Sequence, residues 1–311
     1  MERERIICVT PVFNDWESFE ILIKEINLVQ KKLNVEIKIL AINDGSTEVF
    51  SPEILTKEFE IQIINLKINV GHQRAIGIGL QYVFNEETNY NYVVVMDSDG
   101  EDCPSQILEL FKKAEDENSN KIIFAQRKKR TESIIFKTGY FFYKAIFKFL
   151  TGQTINFGNY SIIPKKLLSK VVHQSHLWNH YSGGIILAKI PYDKILLDRG
   201  KRYAGKSKMN VNSLVLHGLS SISVYFDLLS IRILKLSLYG IGICLLAVIY
   251  ILYQKVFTGN AIPGWASSLI LIISGIILQL FSVTLIVLLM QLSSRKNIQV
   301  PNSKIYKDFI E

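Results

Sequence analysis

The acidic segment that begins at Asp97 has the clearest chemical potential in the sequence. Asp97 and Asp99 stand two residues apart directly after a run of valines, and Glu101 follows. Carboxylates at this spacing can hold a hard divalent cation that also binds a diphosphate. Such a segment can also merely solvate a turn, and Asp102 could cap a helix opened by Pro104. The acidic segment alone therefore does not establish a metal site, and the other loops have to be considered with it.

Three further polar loops follow predicted strands. They read Pro11-Val-Phe-Asn-Asp-Trp, Asn43-Asp-Gly-Ser-Thr and Asn69-Val-Gly-His-Gln-Arg-Ala. Because the carboxyl ends of parallel strands meet at one edge of a sheet, we expect these loops and the acidic segment to converge there.

The elements that carry these loops alternate in type up to about Gln126. Short runs rich in Ile and Val predict buried strands at Ile6–Thr10, Val35–Ile42, Ile61–Leu66, Tyr92–Met96 and Lys121–Ala125. Amphipathic stretches predict helices at Glu17–Leu33, Pro52–Phe59, Gln73–Phe84 and Pro104–Glu117. This alternation predicts an α/β fold, with a mainly parallel sheet and helices on both faces.

Apolar residues concentrate at the other end of the chain. The 311 residues carry 36 Lys and Arg against 28 Asp and Glu, a net charge of +8, and 49% are hydrophobic. No charged residue lies between Lys235 and Lys255, or between Lys255 and Arg295. Each stretch can supply the ~20 apolar residues that cross a bilayer. We expect two transmembrane helices at roughly Leu234–Val256 and Trp265–Leu292.

The overall composition excludes disorder, a collagen-like repeat and a disulfide-stapled secreted fold, and it disfavours a purely soluble enzyme.

Basic residues flank this predicted hairpin on both sides. Arg232 and Lys235 precede it, and Arg295 and Lys296 follow it, while Lys255 is a single charge at the far end. The positive-inside rule places both flanks and the catalytic half in the cytoplasm.

A segment of aromatic and lysine residues, Ser133–Leu150, precedes the hairpin. Its pattern predicts an amphipathic helix, which would either pack on the core or lie in the membrane interface. The two spans that follow favour the interface.

Taken together, the four loops resemble those of the inverting family 2 glycosyltransferases, which have a GT-A fold. They look most like the polyprenyl-phosphate branch, which includes dolichyl-phosphate mannose synthase and the bactoprenol glucosyltransferases. The segment Arg199-Gly-Lys-Arg-Tyr-Ala-Gly-Lys-Ser-Lys-Met matches that branch's R-x-x-R-x-x-G-x-S-K-Y, except that Met209 replaces Tyr. The resemblance covers nearly the whole chain. It implies a GT-A-like sheet, an interfacial amphipathic helix and a C-terminal two-helix transmembrane hairpin.

The resemblance also implies roles for individual residues. The residues that would bind the nucleotide-sugar are Pro11, Phe13, Asp15, Asp44, Gly71, Asp97 and Ser98. Asp97 and Asp99 would hold Mg²⁺ or Mn²⁺, and Glu101, where the family usually has Gln, would add a third carboxylate. The residues that would hold the acceptor phosphate are Arg127, Arg130, Lys137, Arg202, Ser207 and Lys208. The catalytic group would be Asp99, Glu101, Arg127 and Arg202. The basic run at Arg127 could instead be a solvated loop or contact anionic lipid headgroups.

One position departs from the family pattern. The family commonly has G-D-F, with Asp proposed as the catalytic base, where this chain has Gly158-Asn159-Tyr160. An amide cannot act as that base. A phosphate monoester, with a second pKa of about 6, is already largely dianionic at neutral pH and needs positioning more than deprotonation. If a base is required, Asp99, Glu101 and Asp102 all remain open.

Histidines give weaker signals. His173, His176 and His180 have the spacing of one helical face, but zinc binding is disfavoured because the segment matches no metal site of the family. His72 is expected to neighbour the diphosphate or ribose rather than to act as a base.

The sequence thus predicts a multi-pass inner- or plasma-membrane enzyme that transfers a sugar from a nucleotide-diphosphate sugar, of which UDP-sugar is favoured, to a polyprenyl phosphate such as undecaprenyl phosphate. The alternatives are transfer to a lipid hydroxyl, or a catalytically silent membrane-anchored protein that binds nucleotide-sugar or lipid. Membrane lipids are expected partners, nucleic acid is not, and a homo-oligomer stays open. The predicted parts are a nucleotide-sugar core at 1–132, an acceptor and interface part at 133–230, two transmembrane helices at 231–294 and a cytoplasmic tail at 295–311.

Overall fold

The computed structural model describes most of the chain. The described residues are 3–48, 50, 60–128, 148–149, 152, 157–205, 220, 222–258, 264–296 and 302–311. The helix predicted at Pro52–Phe59 lies outside them, as does the amphipathic segment Ser133–Leu150 apart from Lys148 and Phe149. Two compact units divide the chain: a sheet unit, which includes 154–224 and 300–311, and a helical unit, which includes 225–299. The four parts predicted from the sequence stay a prediction.

The sheet unit alternates strands and helices, as predicted. The described strands are β1 Arg5–Val12, β2 Glu36–Asn43, β3 Ile61–Asn65, β4 Tyr92–Val95, β5 Ile122–Arg127, β6 Ser161–Pro164 and β7 Tyr192–Leu197. The helices of this unit are α1 Trp16–Leu33, α2 His72–Glu86, α3 Ile107–Asp116, α4 Lys165–Val172 and α5 Tyr181–Leu187. The five strands expected from the Ile- and Val-rich runs are therefore confirmed, with ends shifted by a few residues.

The strands form one sheet in the order β3-β2-β1-β4-β6-β5-β7. All neighbours are parallel except β6, which runs antiparallel to both β4 and β5. The chain builds outward from β1 through β2 to β3 and then returns to place β4 on the other side of β1. This reversal makes a topological switch point, and loops that follow the two diverging strands leave a crevice between them.

Hydrophobic side chains cover both faces of the sheet. Ile7 and Val9 face a cluster that includes residues of α2, α4 and α5, while Ile6 and Cys8 face one that includes residues of α1 and α3. All four of these β1 side chains are fully buried. Burial of a large aliphatic side chain contributes about 1.5–3 kcal/mol, so these two layers fix the strand ends that carry the loops.

Residues 302–311 complete the sheet unit. Ile310 forms an isolated antiparallel bridge with Leu66, next to β3. The fully buried Gln81 of α2 donates from Nε2 to the Asn302 carbonyl at 2.9 Å and accepts at Oε1 from the Tyr306 N–H at 3.2 Å. Tyr306 is 2% exposed and joins the cluster on the α2 face. The end of the sequence is thus part of the core.

The helical unit contains α6, Phe226–Tyr253, and α7, Trp265–Lys296. Candidate spans at Phe226–Phe257 and Trp265–Ser293 have mean hydropathies of 2.2 and 2.6, and few of their side chains are buried. Near the paired ends, Gln291 donates to Asp227 Oδ1 at 2.7 Å. Long apolar helices with exposed side chains suit a lipid environment, so both are long and apolar enough to span a membrane.

Candidate active site

The loops after β1 and β2 are joined by short polar side chains. Asn14 Oδ1 accepts hydrogen bonds from the backbone N–H groups of Thr47 and Glu48, at 2.8 and 3.1 Å. Asn14 donates its own N–H to Ser46 Oγ at 2.9 Å. Asn14 has a φ of +47°, a conformation that Asn tolerates better than most residues. These contacts fix the loop that contains Phe13 and Asp15. Phe13 is 41% exposed within this loop, and Pro11 lies within β1.

Asp44 connects the second loop to the third. The carboxylate is 3% exposed, and its two oxygens accept from the Val70 N–H at 2.7 Å and the Gly71 N–H at 3.0 Å. Burial raises the pKa of Asp44, while these two hydrogen bonds oppose the rise. Gly71 has a φ of +87°, which favours glycine, and it directly precedes α2. Asp44 therefore shapes the loop from which α2 starts, and its predicted nucleoside contact stays a prediction.

The acidic segment after β4 is held from within. Asp99 Oδ1 accepts from the Glu101 N–H at 3.0 Å, and Asp102 Oδ2 accepts from the Asp97 N–H, also at 3.0 Å. Asp102 does not cap the short 3₁₀ turn at Pro104–Gln106, which begins without a side-chain cap. Ser98, between the two aspartates, is buried. The segment's geometry thus depends on its own carboxylates.

Negative charge accumulates in this segment. Burial raises the pKa of Asp99, and repulsion from Asp97 and Glu101 raises it further, while the hydrogen bond from the Glu101 N–H and the charge of Arg202 oppose the rise. Burial likewise raises the pKa of Asp102, with the Asp97 carboxylate adding to the shift. Added positive charge would relieve this repulsion.

A chain of amides approaches Asp97 from the α2 side. Gln73 Oε1 accepts from the Tyr181 N–H at 2.7 Å, and Gln73 Nε2 donates to Asn159 Oδ1 at 3.2 Å. Asn159 Nδ2 then lies 2.9 Å from His72 Nε2, which is 3.2 Å from Asp97 Oδ1. One ring nitrogen cannot accept from Asn159 and donate to Asp97 at the same time, so these two contacts compete. Asn159 thus contacts His72, which in turn contacts Asp97 of the acidic segment.

The His72 imidazole is under opposing influences. Desolvation by the surrounding atoms lowers its pKa, but attraction to Asp97, with Asp102 and Asp44 nearby, outweighs this and raises the pKa overall. Since 42% of the side chain is exposed, the imidazole also remains open to an approaching ligand.

Three arginines face the same carboxylates. Arg202 Nη1 donates to Asp99 Oδ2 at 2.8 Å, and Nη2 pairs with Asp15. Arg199 pairs with Glu101. Arg127, at the end of β5, lies 3.6 Å from Glu101 and 4.0 Å from an oxygen of Asp102. Arg127 and Arg202, predicted to receive a phosphate, are therefore already beside the predicted metal and donor residues.

The segment that carries Arg199 and Arg202 lies against the acidic segment. The Gly200 N–H donates to the Glu101 carbonyl at 2.9 Å, and the Tyr203 N–H donates to the Asp99 carbonyl at 2.8 Å. A Cβ at Gly200 would come within 2.1 Å of the Gly100 carbonyl oxygen, so only glycine fits this contact. Backbone hydrogen bonds thus join the two segments.

The structure brings together six of the predicted site residues. They are Asp15, Asp97, Asp99, Glu101, Arg127 and Arg202. Four predicted acceptor residues, Arg130, Lys137, Ser207 and Lys208, lie outside the described residues.

Two features were missed or misjudged from the sequence. Arg199 was not chosen as a site residue, although it is the first arginine of the segment that matches R-x-x-R-x-x-G-x-S-K-Y. The three histidines do not share a helical face: His173 follows the end of α4, His176 lies in a 3₁₀ turn, and His180 accepts from the Gly183 N–H as the N-cap of α5.

A divalent cation fits the chemistry of Asp97 and Asp99, but not as an all-protein cage. Among the described residues, no three His, Cys, Asp or Glu side chains form a ready-made metal centre. Mg²⁺ is usually held by one or two carboxylates together with substrate phosphates, and hard carboxylate oxygens with mutual repulsion meet that requirement.

Comparison with known proteins agrees with this geometry. Residues 7–172 match the family described as glycosyl transferase family 2. The glycosyltransferase YkcC of Bacillus subtilis is 30% identical, over 88% of this chain and 85% of its own length. The bactoprenol glucosyl transferase of Shigella phage SfX is 25% identical, over 86% of this chain and 88% of its own.

A solved structure supports the fold. Glucosyl-3-phosphoglycerate synthase from Mycobacterium tuberculosis, crystallised with Mn²⁺, UDP-glucose and phosphoglyceric acid, matches with a TM-score of 0.54 and 13% identity, covering 73% of this chain and 80% of that one. At this identity the match shows a GT-A-like fold. The family match spans more than half of the sequence, and the chain therefore belongs to glycosyl transferase family 2.

Proposed function

We propose that this glycosyltransferase moves a sugar from a UDP-sugar to undecaprenyl phosphate, with inversion, at the cytoplasmic leaflet. The observation that carries the proposal is the meeting of carboxylates and arginines at the switch point. Asp15 and Asp99 lie on opposite sides of the crevice and share Arg202. A site with both charges suits a reaction between two phosphate-bearing substrates and a cation.

The donor would bind along the first three loops and the acidic segment. Asp15 and Asp44 would accept hydrogen bonds from the nucleoside, with Phe13 and Pro11 beside it. Asp97 and Asp99, with Glu101, would hold Mg²⁺ or Mn²⁺, which neutralises the diphosphate and stabilises it as a leaving group. His72, partly exposed at the start of α2, would lie next to the diphosphate.

The acceptor phosphate would be held by arginines rather than activated by a base. Guanidinium groups bind phosphate through paired, charge-assisted hydrogen bonds, and Arg127 and Arg202 are within reach of the acidic segment. A dianionic phosphate oxygen can attack the anomeric carbon from the face opposite the departing diphosphate. Asn159 is compatible with this chemistry because no acceptor proton has to be removed.

Chain connectivity supports the membrane arrangement. The chain leaves the sheet unit near Val224 and returns to it at Val300, with two long apolar helices between. If both helices span the bilayer, the two flanks lie on the same side. Nucleotide-sugars are made in the cytoplasm, so that side would be cytoplasmic.

Transfer to a lipid hydroxyl is the main rival enzymatic function. Such an acceptor must lose a proton, and Asn159 offers no base at the position where the family commonly has Asp. A catalytically silent binder is the rival from another class. The partly exposed ion pairs around Asp99 favour an enzyme over a silent binder, because carboxylates and arginines side by side suit the binding of a cation and a phosphate together.

The deciding experiment is a donor screen with the full-length protein in detergent or nanodiscs. Radiolabelled nucleotide-sugars are offered with undecaprenyl phosphate, with undecaprenol, or with neither. We expect label in lipid only with the phosphate. Equal labelling of undecaprenol would favour the hydroxyl acceptor, and no transfer or donor hydrolysis with any donor would favour the silent binder.

Topology is tested separately with reporters. A reporter fused after Glu311 should be cytoplasmic, and one inserted between residues 258 and 263 should be external. The reverse pattern would place the site in a compartment without nucleotide-sugars and would contradict the proposal.

A further inference from the structure

Arg202 is already paired with protein groups, although it was predicted to bind a phosphate. Its Nη1 donates to Asp99 Oδ2 at 2.8 Å, its Nη2 pairs with Asp15, and its Nε donates to the Ala204 carbonyl at 2.9 Å. Only 21% of the side chain is exposed, and the two carboxylates are 15% and 20% exposed. Each of the three guanidinium nitrogens therefore has a partner, and the side chain connects two loops.

The surrounding backbone keeps Arg202 there. The neighbouring Tyr203 N–H donates to the carbonyl of Asp99, the residue whose side chain Arg202 also binds. Asp15 directly precedes α1 but does not cap it with its side chain, so its carboxylate is available to the arginine. The guanidinium thus provides the positive charge that the acidic crevice requires.

These contacts of Arg202 are incompatible with a site that holds the cation, the donor and the acceptor phosphate at the same time. Under the proposed function, on which this inference rests, Asp99 binds a cation, Asp15 contacts the donor and Arg202 holds a phosphate. A guanidinium hydrogen-bonded to Asp99 repels a divalent ion at the same carboxylate, and one paired with Asp15 competes with the nucleoside. The three roles require Arg202 to change partners.

We propose that Arg202 exchanges Asp15 and Asp99 for phosphate oxygens as the substrates bind. Without ligands it stands in for the cation and holds the two loops together. An anionic phosphate that attracts the guanidinium frees Asp99 for the metal, and a metal at Asp99 frees the guanidinium for the phosphate. Cation and acceptor binding are therefore coupled, and the coupling is reciprocal.

The experiment measures Mn²⁺ binding to full-length protein in nanodiscs, without donor, by the electron paramagnetic resonance signal of free Mn²⁺. Arg202→Gln is compared with wild type and with Lys128→Gln. Lys128 is a matched control because it also removes one positive charge but pairs with the exposed Asp198. We expect Arg202→Gln to bind Mn²⁺ about three- to tenfold more tightly, since wild type must first give up partly exposed charge-assisted hydrogen bonds. Lys128→Gln should change the affinity less than about twofold, because its charge is screened from the site.

A second arm adds a short-chain isoprenyl monophosphate. The monophosphate should tighten Mn²⁺ binding to wild type and to Lys128→Gln but not to Arg202→Gln. The Arg202→Gln measurement also serves as the correction for Mn²⁺ that the monophosphate binds in solution. Unchanged or weaker Mn²⁺ binding by Arg202→Gln, or equal tightening in all three proteins, would overturn the exchange alone. Absence of Mn²⁺ binding in every protein would overturn the exchange together with the metal in the proposed function.

Discussion

Two sides of the same crevice are built in different ways. On the β1–β3 side, neutral side chains and one buried carboxylate bind backbone N–H groups, as Asn14 and Asp44 do. On the β4 side, ion pairs between carboxylates and arginines connect the acidic segment to Arg127, Arg199 and Arg202. Hydrogen bonds to backbone define a fixed shape, whereas ion pairs can be exchanged for charged ligands. We therefore expect the first side to keep its shape when a ligand binds, and the second side to exchange its ion pairs for contacts with charged ligands.

Among the variants on the β4 side, we expect Asp99→Asn to have the largest effect. We expect turnover to fall about a hundred- to a thousandfold, because a carboxylate ligand of the proposed cation, which would neutralise the diphosphate, is lost. The melting temperature should change little, since the variant removes charge from a repulsive cluster and no core volume. Asp198→Asn, which alters an exposed carboxylate, is the control. Full activity of Asp99→Asn, or activity insensitive to EDTA, would refute the metal role.

A smaller loss is expected for the arginines. Arg127→Gln and Arg202→Gln should each raise the KM for the lipid acceptor, or lower kcat/KM for it, about ten- to a hundredfold, the usual range for a lost charge-assisted hydrogen bond. The KM for the donor should change far less. Steady-state kinetics with each substrate varied in turn measures both, with Lys128→Gln as the matched variant. Effects confined to the donor would contradict a phosphate acceptor.

The β1–β3 side is tested by Asp44→Asn. The amide cannot accept from both Val70 and Gly71 with two oxygens, so we expect a loss of about 1–2 kcal/mol in the free energy of unfolding. This loss should persist at high salt because the contacts are buried hydrogen bonds. Urea denaturation at two ionic strengths measures it. Glu101→Gln provides the contrast on the β4 side, since its partner Arg199 is a partly exposed guanidinium. Equal, salt-sensitive losses in both variants would erase the distinction between the two sides.

The smallest effect is expected at Asn159. Asn159→Asp should raise the rate less than about twofold, because a dianionic phosphate needs no base. Wild-type rates should rise with pH through the second ionisation of the lipid phosphate, at about pH 6, and then level off. Initial rates between pH 5 and 8.5 would show this. A large gain in Asn159→Asp would instead indicate an acceptor that has to be deprotonated.

Local pattern predicted much of the fold. Strands β1–β5 carry dense Ile and Val runs, and the helices between them have a clear apolar face, so sequence periodicity was sufficient. Strand β6 was missed because its four residues gain their partners only from β4 and β5, which are distant in sequence. β7 alternates exposed and less exposed residues at the sheet edge and gives a weak signal.

The site was predictable in its residue types but not in its pairings. The spacing of Asp97 and Asp99 indicated a carboxylate site, and the basic residues were expected nearby. No local rule pairs Arg202 with Asp15, which is 187 positions away, or Asn159 with His72, 87 positions away. The sequence left open that Asp102 caps a helix that starts at Pro104, but its carboxylate accepts a hydrogen bond from the Asp97 N–H instead.

The buried amide of Gln81 sets an order of events during synthesis. Gln81 is made early, but two of its partners, the Asn302 carbonyl and the Tyr306 N–H, are made only after α6 and α7. Until the ribosome has finished the helical pair, α2 carries a polar group whose hydrogen bonds are incomplete and a cavity where the Tyr306 ring belongs. Gln81 keeps only its hydrogen bond to the Val172 carbonyl at that stage, and each missing bond contributes about 0.5–1.5 kcal/mol, so the nascent sheet unit is less stable than the finished one. Completion of the sheet unit therefore follows translation of α6 and α7.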